Sequence, residues 1–268
     1  MTSKIVTLTS DFGLRDPYVA EMKAVILSIS PGVTIVDVTH EIEKFNIRLG
    51  ALMLATAVPS FPLGTVHVAV VDPGVGTDRR TIIIQTQQCF LVGPDNGLLV
   101  LAAEKQGVIR VHEITNPKLM SPLVSSTFHG RDVFAPAAAH IVNGVSPNEF
   151  GKQIRDVFKP KFAKVVRCTN EIIGEVLHID GFGNVITNIS SEEIPDIDTT
   201  GWLKVELPNK NLKVMLGKTY GEAQPDEALI LVGSHGYVEL AVNRGSAAEK
   251  FHLKTCDRVK LVIPVEKH

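Results

Sequence analysis

An acid at the end of an apolar run, two glycines close behind it and an arginine seven residues on can together bind and activate a small polar molecule. This set is VVDPGVGTDRR, residues 70–80. Asp72 can accept a proton or a hydroxyl. Gly74 and Gly76 let backbone approach a ligand closely, and Arg79 can return to orient or neutralise the carboxylate. His129, in SSTFHGRDVFAP (residues 125–136), supplies the side chain whose ordinary pKa of about 6.5 best suits proton transfer near neutrality. Asp11 ends a third run, KIVTLTSDFG (residues 4–13). Each residue also has an ordinary alternative. Asp72 and Arg79 fit a strand-to-turn junction with a solvated ion pair, and Asp11 fits an N-cap or turn aspartate.

The elements around these residues follow from periodicity. Residues 5–9, 33–38, 66–71, 81–85 and 89–92 read as strands. Residues 17–29, 47–57, 97–105 and 132–142 carry helical spacing, with Pro17 suited to a first turn. Alternation of strand and helix predicts an α/β N-terminal domain with a mostly parallel sheet and helices on both faces. In such sheets ligands bind beyond the carboxyl ends of the strands, where Asp11 and Asp72 stand. After about residue 170 the pattern becomes short strands punctuated by Gly, Pro and Asn: 172–179, 185–189, 203–207, 212–216, 228–232, 237–242 and 259–263. That spacing predicts an all-β, barrel-like C-terminal domain. The lysine-rich stretch 159–164 is the natural linker, giving domains 1–163 and 164–268.

Composition removes several function classes. The chain has 268 residues, 44% of them hydrophobic, enough for a large core, and a formal charge of −2 offers nucleic acid no electrostatic partner. The longest apolar runs are strand length, short of the roughly 20 residues of a membrane helix, so no membrane partner is expected. No charged-then-apolar leader opens the sequence. Three isolated cysteines, Cys89, Cys168 and Cys256, fit neither a zinc site nor a disulfide frame and are expected as buried thiols in a cytoplasmic protein.

Six ordered blocks carry a family resemblance: TSDFG (9–13), VVDPGVGTDRR (70–80), GPDNGLL (93–99), FHGRDVFAPAAA (128–139), DGFGNVITNI (180–189) and GSHGYVELAVN (233–243). Through them the chain resembles the S-adenosyl-L-methionine (SAM) hydrolases, or SAM hydroxide adenosyltransferases, relatives of the fluorinating and chlorinating SAM enzymes. The resemblance implies attack of water on C5′ of SAM, giving adenosine and methionine. It implies Asp72, Arg79 and His129 as the catalytic set, no metal and no cofactor beyond the substrate, and a homotrimer with sites at subunit interfaces. It places Asp11 and Asp72 on the substrate, Asp11 at the ribose hydroxyls. It assigns nucleoside contacts to Asn184, Ser234, Glu239 and Val242.

Asp16 and Asp180 can grip the methionine ammonium, and Phe182 can stack on adenine. The string DGFGN (180–184) also reads as a hairpin turn with Phe182 in the core, and it is one residue shorter than in the halogenating relatives. Glu239 can instead face solvent, and Phe45, where those relatives carry a larger aromatic over the sugar, can be a core residue. Two other functions keep much of this pocket: a halide:SAM adenosyltransferase, which the charge of Asp72 disfavours, and a non-catalytic SAM or adenosine sensor.

Overall fold

The computed structural model describes residues 4–160, 164–194 and 201–263. The chain divides into two compact units, Met1–Pro160 and Lys161–His268. The predicted linker 159–164 lies partly outside the described residues.

The first unit is built on a seven-stranded sheet. Its strands are β1 (Ile5–Ser10), β2 (Thr34–Thr39), β3 (Val66–Val70), β4 (Thr81–Thr86), β5 (Phe90–Pro94), β6 (Val108–Glu113) and β7 (Gln153–Ile154), in the order β2-β1-β3-β5-β4-β6-β7. The central strands read as almost unbroken apolar runs because both of their faces are covered. Along β3, Val66, Val68 and Val70 enter one core while Ala69 and the following Val71 enter another. Helices α1 (Tyr18–Ile29) and α4 (Ala135–Val142) close the first face, and α2 (Ile47–Ala57) and α3 (Val100–Gln106) close the second. Helix α1 buries Val19, Met22 and Ile26 at helical spacing. Asn46 caps α2 by accepting from the Leu49 N–H at 2.9 Å.

The sheet is mixed rather than mostly parallel. Pairing is parallel only through β2-β1-β3-β5. Strands β4, β6 and β7 join antiparallel. The reason is connection length: three residues separate β4 from β5, and a parallel crossover needs a dozen or more. The predicted helix 132–142 also begins differently, since Gly130–Phe134 wind as one π-helical turn before α4.

The parallel half creates the functional geometry. From β1 the chain crosses by α1 to β2 on one side, then by α2 to β3 on the other. Connections that leave a strand pair in opposite directions open a crevice at its carboxyl end. Ser10 of β1 is in register with Val70 of β3, so Asp11 and Asp72 emerge side by side there.

The second unit is a barrel, with β8 (Val166–Cys168), β9 (Glu171–Ile179), β10 (Val185–Ser190), β11 (Trp202–Glu206), β12 (Asn211–Leu216), β13 (Ala228–Val232), β14 (Tyr237–Val242), helix α5 (Ala247–Phe251) and β15 (Arg258–Val262). Seven strands follow the order β10-β14-β13-β12-β11-β15-β9, and β9 pairs back onto β10 to close the ring, with β8 added outside β9. Closure leaves no free edge among the seven. Their inward residues, among them Val176, Val205, Ile230, Val238 and Val259, form the core. Of the cysteines only Cys89 is buried; Cys168 and Cys256 are exposed, against expectation.

Candidate active site

Each unit carries one cleft that gathers predicted residues. In the first, a cleft of about 400 Å³ is lined by Asp11, Asp16, Lys44, Asp72 and His129 together with Phe12, Tyr18, Phe45 and Phe128. Behind two of these residues, Asp72 and His129, runs a hydrogen-bonded linkage through Arg79. The Arg79 Nε–H donates to Asp72 Oδ1 at 3.0 Å, and Arg79 Nη2 donates to Asp72 Oδ2. The same Nη2 lies 2.8 Å from His129 Nδ1. The pair is not the solvated junction that a turn alone would make: the Asp72 and Arg79 side chains are 5% and 9% exposed.

A guanidinium only donates, so His129 Nδ1 must be the acceptor, which leaves the proton of the neutral imidazole on Nε2. The pKa of His129 is lowered, first by burial and then by the neighbouring Arg79 cation. His129 is therefore a neutral Nε2–H donor at pH 7.

Local structure holds these groups from behind. Asn96 Nδ2 donates to the carbonyl of Val71 at 2.9 Å, fixing the residue before Asp72. Gly76, at φ +78°, passes so close beneath Ser126 that a Cβ there would lie 2.3 Å from the Ser126 carbonyl oxygen. Arg131 donates to both oxygens of buried Asp132, at 2.8 and 3.1 Å, and Asp132 accepts from the Ser125 N–H at 2.9 Å. The loop before His129 is thus tied to the π-helical turn after it. Such turns are found disproportionately at functional sites.

The second unit holds a cavity of about 530 Å³ lined by Asp180, Phe182, Asn184, Tyr220, Val242, Arg244 and Gly245. Asp180 organises its own turn. It accepts from the N–H groups of Phe182 and Asn184 through Oδ1, both at 2.9 Å, and from Asn184 Nδ2 through Oδ2 at 3.0 Å. Phe182 is 83% exposed, so it is no core residue. Phe45, in the first cleft, is exposed as well.

Two predicted residues stand apart from this lining. Ser234 is exposed on the turn between β13 and β14. Glu239 neither faces solvent nor lines the cavity. It is buried, accepting from Tyr220 Oη–H and lying 2.9 Å from His235 Nε2. Burial and then that carboxylate raise the Tyr220 pKa, keeping the phenol protonated. Sequence reasoning missed Tyr220, Arg244 and Lys44 as lining residues. Lys44 sits in Glu41-Ile42-Glu43-Lys44, which reads as a solvated charge run, and Tyr220 belongs to no motif. Among the described residues no group of three or more His, Cys, Asp or Glu is placed to hold a metal ion, and no helix is long and apolar enough to cross a membrane.

The SAM hydroxide adenosyltransferase N-terminal domain matches residues 6–151, and the C-terminal domain of the same family matches residues 174–260. The chain belongs to this family. The (R)-S-adenosyl-L-methionine hydrolase of Methanocaldococcus jannaschii is 37% identical over 96% of this chain and 95% of its own. A fluorinase of an Actinoplanes species is 30% identical over 93% of this chain and 94% of its own. A solved structure of an uncharacterised conserved protein from Thermotoga maritima superimposes with a TM-score of 0.92 at 38% identity, covering 96% of this chain and 99% of that one.

Proposed function

We infer that this protein hydrolyses S-adenosyl-L-methionine to adenosine and L-methionine, by attack of an activated water or hydroxide on C5′. The observation that carries the reading is the part-buried Asp72–Arg79–His129 linkage opening into the cleft that also presents Asp11. The relatives named as SAM hydrolases support it.

The reaction asks little of the protein beyond placement. The C5′–S pair leaves on sulfur as a neutral thioether, so no acid is needed. The C5′–O bond forms from a water held in line, and the water proton leaves. The linkage divides these tasks. His129 Nε2–H donates to the nucleophilic oxygen and orients it. Asp72 accepts the water hydrogen through lone pairs that Arg79 does not use, and Arg79 holds both partners through its Nη2. His129 is not the base in this scheme, because its accepting nitrogen is already engaged by a cation.

The same geometry selects water over halide. A carboxylate about 4 Å from a chloride repels it by roughly 4 kcal/mol at an effective dielectric near 20, which is nearly a thousandfold at about 1.4 kcal/mol per tenfold. Arg79 offsets part of this and leaves the preference with a neutral nucleophile. The reading requires no metal and no cofactor, since SAM itself is consumed.

In this reading the working form is a cytoplasmic homotrimer with sites at subunit interfaces, as the resemblance implies. Light scattering should give the mass of three chains, and a monomer that turns over SAM contradicts that part. The central test is chelator-treated protein incubated with SAM in chloride buffer, with nucleoside products identified by mass. Adenosine with methionine supports the reading. 5′-Chloro-5′-deoxyadenosine, or bound SAM without product, overturns it.

A further inference from the structure

The carboxylate of Asp11 is fixed by a neighbouring segment before any ligand arrives. Between β2 and α2 the chain runs over residues 40–46, and both ends of this segment are anchored. At its start, the His40 carbonyl accepts from the Gly13 N–H at 2.7 Å, and His40 Nδ1 pairs with buried Ser10 Oγ at 2.7 Å. Ser10 Oγ also accepts from the Phe12 N–H at 3.3 Å. At its end, Asn46 serves as the cap of α2. Between these anchors two groups reach Asp11 itself. Lys44 Nζ donates to the Asp11 carbonyl, and the Phe45 N–H donates to Asp11 Oδ2 at 2.9 Å.

Phe45 makes that contact at φ +65°. A bulky residue seldom adopts this left-handed conformation, which costs of the order of 1 kcal/mol or more unless its surroundings require it. Its ring does not repay the cost by core packing, being 68% exposed. What the conformation secures is the aim of its amide at Oδ2. With one lone pair of Oδ2 taken by a main-chain donor that cannot rotate away, the plane of the carboxylate is set, and Oδ1 and the second lone pair of Oδ2 are left for two ligand hydroxyls.

We propose that Lys44 and the main-chain amide of Phe45 are positioning groups that hold Asp11 in the orientation needed to accept from the vicinal hydroxyls of a ribose. The proposal rests on the reading of this cleft as a nucleoside site. It concerns the amide and the lysine, not the Phe45 ring. The ligand chemistry is the cis-diol, so the effect is specific to hydroxyl recognition and not to folding or to the bond-breaking step.

The test measures binding of adenosine, 2′-deoxyadenosine and 3′-deoxyadenosine by calorimetry, with SAM turnover and melting temperatures in parallel. Full-length protein and four variants are used: Asp11→Ala, Lys44→Met, Phe45→Pro and Phe45→Gly. The parent protein should lose about tenfold in affinity when either hydroxyl is removed, the usual cost of leaving a buried acceptor without its partner. Asp11→Ala should erase that penalty. Lys44→Met and Phe45→Pro should shrink it below about threefold, and should raise KM for SAM more than they lower kcat.

Phe45→Gly keeps the N–H and tolerates positive φ, so it should retain the penalty although the ring is gone. Should Phe45→Pro fail to fold, Lys44→Met decides. A penalty lost in Asp11→Ala but intact in Lys44→Met and Phe45→Pro overturns the positioning role and leaves Asp11 at the ribose. A penalty intact in Asp11→Ala removes Asp11 from the sugar and overturns both.

Discussion

Replacing Arg79 with lysine separates the charge of this side chain from its shape. Arg79 makes three hydrogen bonds from two nitrogens, two to Asp72 and one to His129 Nδ1. A lysine keeps the positive charge beside the Asp72 carboxylate but offers one nitrogen, which cannot reproduce the planar fork. At most one of the three bonds persists in its present geometry. Bonds of this charge-assisted kind contribute about 1.5–3 kcal/mol each, so losing two costs about 3–6 kcal/mol of preorganisation. At about 1.4 kcal/mol per tenfold, kcat should fall about 10²- to 10⁴-fold.

Arg79 is absent from the cleft lining, so adenosine affinity should stay within about twofold. The assay is adenosine release at saturating SAM, paired with calorimetric adenosine binding. A kcat within about threefold of the parent would show that a nearby positive charge suffices and would refute the fork argument. An equal loss of binding would instead move Arg79 into ligand recognition.

Two further outcomes follow from the same geometry. Asp72→Ala should retain adenosine binding and lose most hydrolysis, and its chloride tolerance should rise; unchanged adenosine release removes Asp72 from the mechanism. The pH profile of kcat/KM should be flat through neutrality and fall on the acid side, below the ordinary histidine value of about 6.5. Protonating His129 would set an imidazolium against Arg79, and burial and that cation already lower its pKa. An acid limb that survives His129→Ala unchanged assigns the titration elsewhere.

Buried His67, 2.7 Å from Thr7 Oγ1, has its pKa lowered to about 4 by burial. The unfolded chain therefore binds the extra proton first, and stability drops as pH falls from about 6.5 toward about 4, by about 3 kcal/mol in all. Urea titrations of His67→Gln, which keeps a partner for Thr7, should show a flatter pH dependence; identical slopes exclude this source.

Much of the architecture is legible in local sequence because each strand and helix here carries its own period. The run 66–71 is apolar apart from His67 and is buried on both sides, and Met22 and Ile26 mark the inner stripe of α1. What escapes is short or topological. Strands β7 and β8 have two and three residues, too few to show a period. The antiparallel half of the first sheet follows from a three-residue connection and not from the composition of β4. Tyr220 becomes part of the second cavity through a hydrogen bond to Glu239, nineteen residues away.

The sequence by itself determined which residues can do the chemistry, the order of the elements that carry them, the two-part architecture and, through six blocks, the family. Only the tertiary structure decided how those residues act. Asp72 and His129 are separated by 57 positions in the chain, and their joint engagement by one guanidinium accompanies the packing of the Ser126 loop over Gly76. That engagement fixes the His129 proton on Nε2, a matter of donor direction that no spacing encodes. The withdrawal of Glu239 from the cavity and the hold of Lys44 and Phe45 on Asp11 have the same origin. Hydrogen-bond direction and burial are set by non-local packing, whereas residue type and periodicity are written along the chain.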